Sequence, residues 1–261
     1  MSERAFSRLA IPGPAPKPRD AGMTMMSDLG VGLTVQKDIL EMSADYLDLA
    51  KLATTVGATL PEEPLKQKIG LYKSYGVEPF NGGYLLEYAI FHHGMDIVPY
   101  YFEENKRLDL DVVEVSDNNL SISLEEKCRL VTMGASEYGL KILAESGAET
   151  EKTDPKVLLE DIEACLDAGA WKVLVEANEL VTRDGAFNME MIDMILDRVD
   201  LSSLMFEIPW VWLDKVHWYQ SFKALYALTE QFGAPVNIGN VDRSLLVWLE
   251  LLRNGSSRRV G

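Results

Sequence analysis

The chain has 261 residues and a formal net charge of −16, from 25 Lys and Arg against 41 Asp and Glu. With 47% hydrophobic and 25% charged residues, it has the composition of a folded globular protein, which excludes wholesale disorder. The basic residues gather at the ends, leaving 19 cations against 39 acids between residues 22 and 255; such a body repels nucleic acid and anionic membrane surfaces.

Residues 1–21 carry Pro12, Pro14, Pro16 and Pro18 at alternate positions. Alternate prolines predict an extended, solvated tail. No apolar run reaches the ~18 residues of a membrane span, and the N-terminus lacks a secretory apolar stretch. From Gly22 a rhythm begins, with a first strand expected at Gly22–Asp28 and a helix at Val35–Ser43. A second strand, Asp45–Lys51, precedes a helix at Glu62–Tyr75, and a third, Val77–Asn81, precedes helices at Tyr84–His93 and Ile97–Arg107. Five nearly continuous apolar strands follow: Asp111–Asp117, Leu140–Gly147, Trp171–Asn178, Ser203–Pro209 and Ala234–Asn240. Apolar on both faces, they read as strands of a parallel sheet covered on both sides.

The helices between them carry their own boundaries. Ser123-Leu-Glu-Glu126 is a capping box, and Asp154-Pro155 places a cap before a first-turn proline. Cys128 and Cys165 fall on these helices as packing residues. Two cysteines make neither a disulfide framework nor a thiolate zinc cluster, and a reduced, cytoplasmic protein is expected. Eight strands alternating with helices in one domain of ~250 residues predict a single α/β TIM (β/α)8 barrel over residues 22–255, with residues 256–261 as a C-terminal tail. An open doubly wound sheet is the rival arrangement.

Glu114, Glu145, Glu176 and Glu207 are spaced by 31 residues each time, every one near the C-terminal end of an apolar strand. A barrel collects such positions on the face where active sites form. Gathered carboxylates need a compensating cation or protonation. Without paired His or Cys, oxygen ligands suit magnesium, and Glu114, Asp117, Glu145, Glu176 and Glu207 are the candidate ligands. Lys51 ends the second strand as a candidate catalytic or anion-binding group, beside Glu145 and Glu176 as candidate acid–base groups. Gly82 and Gly83 open a helix whose amides can hold an anion. Asn240 and Arg243 follow the eighth strand, where barrels often bind phosphate, and Arg253 ends the last helix. The aromatic cluster Trp210, Trp212, Trp218 and Tyr219 reads as core, lid or partner surface. There is no P-loop and no metal-binding histidine pair.

In order and at compatible spacing, the residues Asp45-Tyr-x-Asp48…Lys51, Gly82-Gly83…Glu87-Tyr-Ala, Val113-Glu-Val-Ser-Asp117, Glu145-Ser-Gly147, Asp167-Ala-Gly-Ala170, Phe206-Glu-Ile-Pro209 and Val236-Asn-Ile-Gly-Asn240 resemble the phosphosulfolactate synthase family. The resemblance runs from about Gly22 to Gly255. It implies a TIM barrel that adds sulfite to phosphoenolpyruvate with magnesium; the family also includes plant heat-stress-associated proteins. The family's cations are altered here. Asp-Lys-Gly reads Asp28-Leu29-Gly30, Gly-Lys-Lys reads Gly147-Ala148-Glu149, and Glu-Gly-Arg reads Glu176-Ala177-Asn178. Bringing two polyanions together requires positive charge. The expectation is a divergent, magnesium-dependent member acting by addition or elimination on a small anionic or enol-type substrate, with inefficient sulfite addition and assembly as a homo-oligomer. The alternative is a non-catalytic stress or interaction protein on the same barrel.

Overall fold

A computed structural model describes residues 5–9, 11–148, 152–180, 188–210 and 217–256. Eight parallel strands close on themselves in sequence order. They are β1 Thr24–Asp28, β2 Leu49–Leu52, β3 Glu78–Asn81, β4 Val112–Val115, β5 Lys141–Ser146, β6 Lys172–Val175, β7 Leu204–Glu207 and β8 Ile238–Val241. The helices between and after them, in chain order, are α1 Leu33–Ser43, α2 Val56–Thr59, α3 Glu62–Ser74, α4 Gly83–His93, α5 Val98–Arg107, α6 Leu124–Thr132, α7 Pro155–Asp167, α8 Met189–Leu196, α9 Trp218–Phe232 and α10 Leu246–Arg253. This is the single (β/α)8 barrel expected, and the open sheet is excluded by the pairing of β1 with β8. No described helix is long and apolar enough to cross a membrane.

Local chemistry sets the boundaries. The Ser123–Glu126 capping box forms in full, and Asp154 accepts from the Lys156 amide with Pro155 in the first turn. The second strand starts later than expected because Ala44–Tyr46 coil into a 3-10 turn. The eighth starts at Ile238, later than expected, and the Asn237 side chain before it ties other elements together. It accepts from the Met23 amide and donates to the Leu204 carbonyl.

The N-terminal end of the barrel is closed by cations. Arg19 grips Asp48 with two hydrogen bonds of 2.9 and 3.0 Å, both side chains being about 95% buried. Lys17 donates to the carbonyls of Leu47 and Gly76. Residues 11–16, with their alternate prolines, run without helix or strand, and two of the tail's cations, Lys17 and Arg19, fasten it. Arg253 is also at this end, donating to Thr24 Oγ1 at 2.6 Å and to the Met23 and Val236 carbonyls at 2.8 Å. Its place among the strand starts removes it from any anion site at the opposite mouth.

Candidate functional site

Alternate residues of a strand face the same side. Met25, Leu49, Phe80, Val112, Leu143, Leu174 and Met205 fill the barrel interior as one buried apolar layer. Two residues further along the same strands stand Ser27, Lys51, Gly82, Glu114, Glu145, Glu176 and Glu207. Strand alternation therefore sets a polar ring directly on an apolar plug, at the C-terminal mouth. The 31-residue spacing keeps the acids on the interior face at every step. Glu114 is level with Leu143 and Glu145 with Leu174, so Glu145 and Glu176 each sit two residues higher than the acid before, while β6 and β7 pair Val175 with Phe206 and leave Glu207 level with Glu176. Tilted strands in a closed barrel require such a stagger, and an even offset keeps the interior face.

A cavity of about 330 Å³ opens over this ring. Its lining includes Lys51, Gly82, Gly83, Glu87, Glu114, Glu145, Glu176, Glu207, Trp210 and Asn240. Eight of the ten residues expected at the site from sequence are therefore together at one mouth. Asp117 and Arg243 are not among the lining residues. The Asp117 carboxylate is 2.9 Å from Lys127 Nζ, which also reaches Asp161 at 2.9 Å. Arg243 opens the 3-10 turn after β8. Glu149, Trp212 and residues 257–261 lie outside the described residues.

Lys51 is the hub. Its ammonium lies 3.0 Å from Glu114 and 3.0 Å from Glu207, with all three side chains buried. Burial alone would lower the lysine pKa, but Glu114, Glu207 and Glu145 outweigh it and hold the ammonium well above its usual range. The acids respond in the opposite sense. Burial pushes Glu114 up to about 7 against the pull of Lys51, with Glu207 adding to the rise. Burial, then Glu207 and Glu114, raise Glu145 well above the ordinary carboxyl range. One lysine cannot neutralise this ring, and burial beside the other acids favours the neutral form of Glu145.

Glycines make the room. A Cβ on Gly82 would come within 3.2 Å of Lys51 Cε, and one on Gly83 within 2.2 Å of Ser116 Oγ. The Gly83 amide donates to Glu114. Asn240 takes a left-handed conformation with φ of 57° and accepts from Ser27 Oγ at 3.0 Å. Glu145, Glu176 and Glu207 each offer a carboxylate oxygen within 4.8 Å of the others. Glu207 Oε2 is buried with no hydrogen-bond partner among the described residues.

Two supports of the site, Glu87 and Glu179, were missed from sequence, and a third, Trp210, was read only as part of the aromatic cluster. Glu87 holds the β4–α6 loop by accepting from Ser116 Oγ and, at 2.6 Å, from the Asn119 amide. Fully buried Glu179 holds the β5–α7 loop through Ala148, Thr153 and its hydroxyl. Trp210 lies with its ring 6.0 Å from Lys51 Nζ. An isolated acid on a helix or loop gives no periodic signal, although a glutamate amid an apolar α4 stretch was a visible anomaly. Asp28, by contrast, is structural: it is bound by Lys68 and Tyr72 at 2.6 Å and caps the Gly30 and Val31 amides.

The family model described as (2R)-phospho-3-sulfolactate synthase (ComA) matches residues 12–258. The chain belongs to the phosphosulfolactate synthase family. It is 32% identical to the phosphosulfolactate synthase of Methanothermobacter thermautotrophicus, over 92% of this chain and 91% of that protein. It is 24% identical to the Arabidopsis thaliana protein HEAT-STRESS-ASSOCIATED 32, over 91% and 87% respectively. A phosphoenolpyruvate phosphomutase structure from Streptomyces platensis subsp. rosaceus shares the fold, with a TM-score of 0.51 at 14% identity over 93% of this chain and 80% of that one. The family is one of TIM-barrel enzymes with lyase-type chemistry.

Proposed function

We propose that this chain is a magnesium-dependent lyase or synthase that adds to, or eliminates from, a phosphoenolpyruvate-like or other enol carboxylate, without efficient sulfite addition. One observation carries the reading. The carboxylate ring is intact, while Ala148 and Asn178, which stand where the family pattern has a lysine and an arginine, join each other through a 2.9 Å hydrogen bond from Asn178 Nδ2 to the Ala148 carbonyl. The acidic half of the site persists and the cationic half is replaced by a neutral contact.

The oxygen-only group of Glu145, Glu176 and Glu207 fits magnesium, and the unpartnered Glu207 Oε2 supplies a ligand atom that nothing else uses. Oxygens bound at ~2.1 Å lie within ~4.2 Å of each other, so a small closure of these side chains or one bridging water completes the set. When bound, the ion would supply charge stabilisation for the oxygen that becomes negative as an enol carboxylate reacts. Lys51, fixed by Glu114 and Glu207, directs its ammonium at the substrate carboxylate. A ring acid that does not hold the ion would move the proton at the substrate carbon, giving it in addition and taking it in elimination. The apolar layer beneath excludes water from below.

The test is purified protein with phosphoenolpyruvate, sulfite and magnesium, followed by mass spectrometry for phosphosulfolactate. We expect turnover at least a hundredfold below an ordinary rate of about 1 per second, rising when Ala148→Lys and Asn178→Arg are combined. Turnover near 1 per second in the unaltered chain overturns the loss of sulfite chemistry. Calorimetry should detect magnesium binding that Glu207→Gln weakens; no binding at about 10 mM, far above the usual range for a functional site, overturns the metal. That result would favour an interaction protein, for which Trp218 and Tyr219, 54% and 61% exposed, are the available face. The same face is our candidate homo-oligomer contact, and a monomeric mass by light scattering would refute it.

A further inference from the structure

Four described residues other than glycine take a positive φ: Phe6, Thr54, Asp109 and Asn240. Asparagine and aspartate tolerate that conformation, and Phe6 lies in the tail. Thr54 is branched at Cβ, and for such a residue a φ of 54° is an outlier. The turn around it shows what the chain demands there. The Val56 amide donates to the Ala53 carbonyl at 3.2 Å, and Thr55, which precedes Val56, has φ −101° and ψ 18°. That is the pattern of a type II′ turn, with Thr54 at the first central position, where glycine is the usual residue. Bonds on both sides pin the turn. The Ala53 amide donates to the Asp28 carbonyl at 3.0 Å, and the Thr55 carbonyl accepts from the Ala58 and Thr59 amides at 3.0 and 2.9 Å. The backbone is therefore fixed, and the threonine bears the strain.

Nothing in the fold offsets that strain locally. Thr54 is exposed, so its methyl fills no core, and its hydroxyl makes no hydrogen bond among the described residues. What it does face is the mouth. Thr54 and Lys51 line the same cavity of about 330 Å³; Lys51 is buried in β2, and Thr54 stands two residues beyond the end of that strand, at the lip. A strained side chain kept at the edge of a site points to a ligand contact. We propose that Thr54 is a substrate-binding residue, its hydroxyl donating to an oxygen at the outer end of the ligand whose carboxylate Lys51 holds. This inference rests on the reading of the mouth as a site for an enol carboxylate, and the outer oxygen is then one of its phosphate or other polar substituent.

Calorimetry on the whole chain with magnesium compares phosphoenolpyruvate with oxalate, a short dianion that has no outer substituent. Thr54→Val keeps the branch and removes the hydroxyl. It should melt as the parent does and bind phosphoenolpyruvate about fivefold more weakly, the worth of one hydrogen bond, with oxalate binding unchanged. Thr54→Gly also removes the strain, so its melting temperature should rise by about 2–4 °C while it loses the same affinity. Thr54→Ser, which keeps the hydroxyl, should rescue that affinity. A glycine variant no more stable than the parent refutes the strain. A valine variant that binds phosphoenolpyruvate as the parent does, or that loses oxalate equally, refutes the contact. A parent that binds oxalate but not phosphoenolpyruvate refutes the contact alone, whereas a parent that binds neither takes down the reading of the mouth and this inference with it.

Discussion

Replacing Glu145 by glutamine should make the metal-free protein more stable. In the folded chain the Glu145 carboxyl is held well above the ordinary range by burial and by Glu207 and Glu114, whereas in the unfolded chain it ionises at the ordinary value of 4.5. A raised carboxyl pKa means that the native state binds more protons than the unfolded state, so stability falls as pH rises above about 4.5. At pH 7.5 the ceiling on this cost is about 4 kcal/mol, and at pH 5.5 about 1 kcal/mol, from roughly 1.4 kcal/mol for each unit above 4.5. Relaxation and coupling within the ring reduce both, and roughly half of each is a reasonable expectation.

Glutamine keeps the shape and has no proton to hold. In EDTA at pH 7.5 we expect Glu145→Gln to gain about 2 kcal/mol, or a melting temperature higher by about 4–8 °C for a chain of this length. At pH 5.5 the gain should shrink to a third or less. The comparison between variants matters because the whole chain, at −16, also relaxes its repulsion on acidification. Thermal and urea melts at the two pH values measure the effect. A glutamine variant no more stable than the parent at pH 7.5, or equally stabilised at both pH values, would refute the argument that the ring is strained by its own charge.

Lys51→Met should destabilise by about 3–5 kcal/mol at neutral pH, because Glu114 and Glu207 lose their buried partner, and urea melts should show a smaller loss at pH 5, below the raised pKa of Glu114. Gly83→Ala should cost about 1–3 kcal/mol, since its Cβ would sit 2.7 Å from Ser116 Cβ; an unchanged urea midpoint would contradict the packing. Arg19→Ala should cost about 3 kcal/mol by leaving Asp48 buried and unpaired, and an unchanged melting temperature would make the tail's anchorage cosmetic.

The barrel was legible because its signal is repeated. Each strand is short and apolar on both faces, and capping residues such as Ser123 and Asp154 work within a few residues of the chain. The acids Glu114, Glu145, Glu176 and Glu207 were legible for the same reason: each closes an apolar strand at a constant interval in sequence, although the register steps by two residues from β4 to β6 and not at all from β6 to β7. What a constant interval does not carry is partner choice. That Lys51 pairs with Glu114 and Glu207, that Asp28 belongs to Lys68 and Tyr72, and that Arg253 seals the strand starts all depend on contacts across 40 to 230 residues. Asp28 and Glu114 look alike along the chain and differ only in which cation the fold brings to them.

The distribution of cations then bears on the reaction. Arg19, Arg253 and Lys172 are buried at the closed end, where Arg253 and Lys172 bind backbone carbonyls and Arg19 binds Asp48. They complete the unpaired groups of the strand starts and are too far along the barrel to meet a substrate. Among the described residues lining the mouth, Lys51 is the one cation, against Glu87, Glu114, Glu145, Glu176 and Glu207. A dianionic enol carboxylate entering alone would meet a repulsive field, made stronger by the low dielectric of the apolar plug beneath. It can bind only if positive charge accompanies it or if the ring takes up protons. Both routes leave the site short of charge for a second anion, which is the physical reason to expect a neutral or weakly charged co-substrate in place of sulfite.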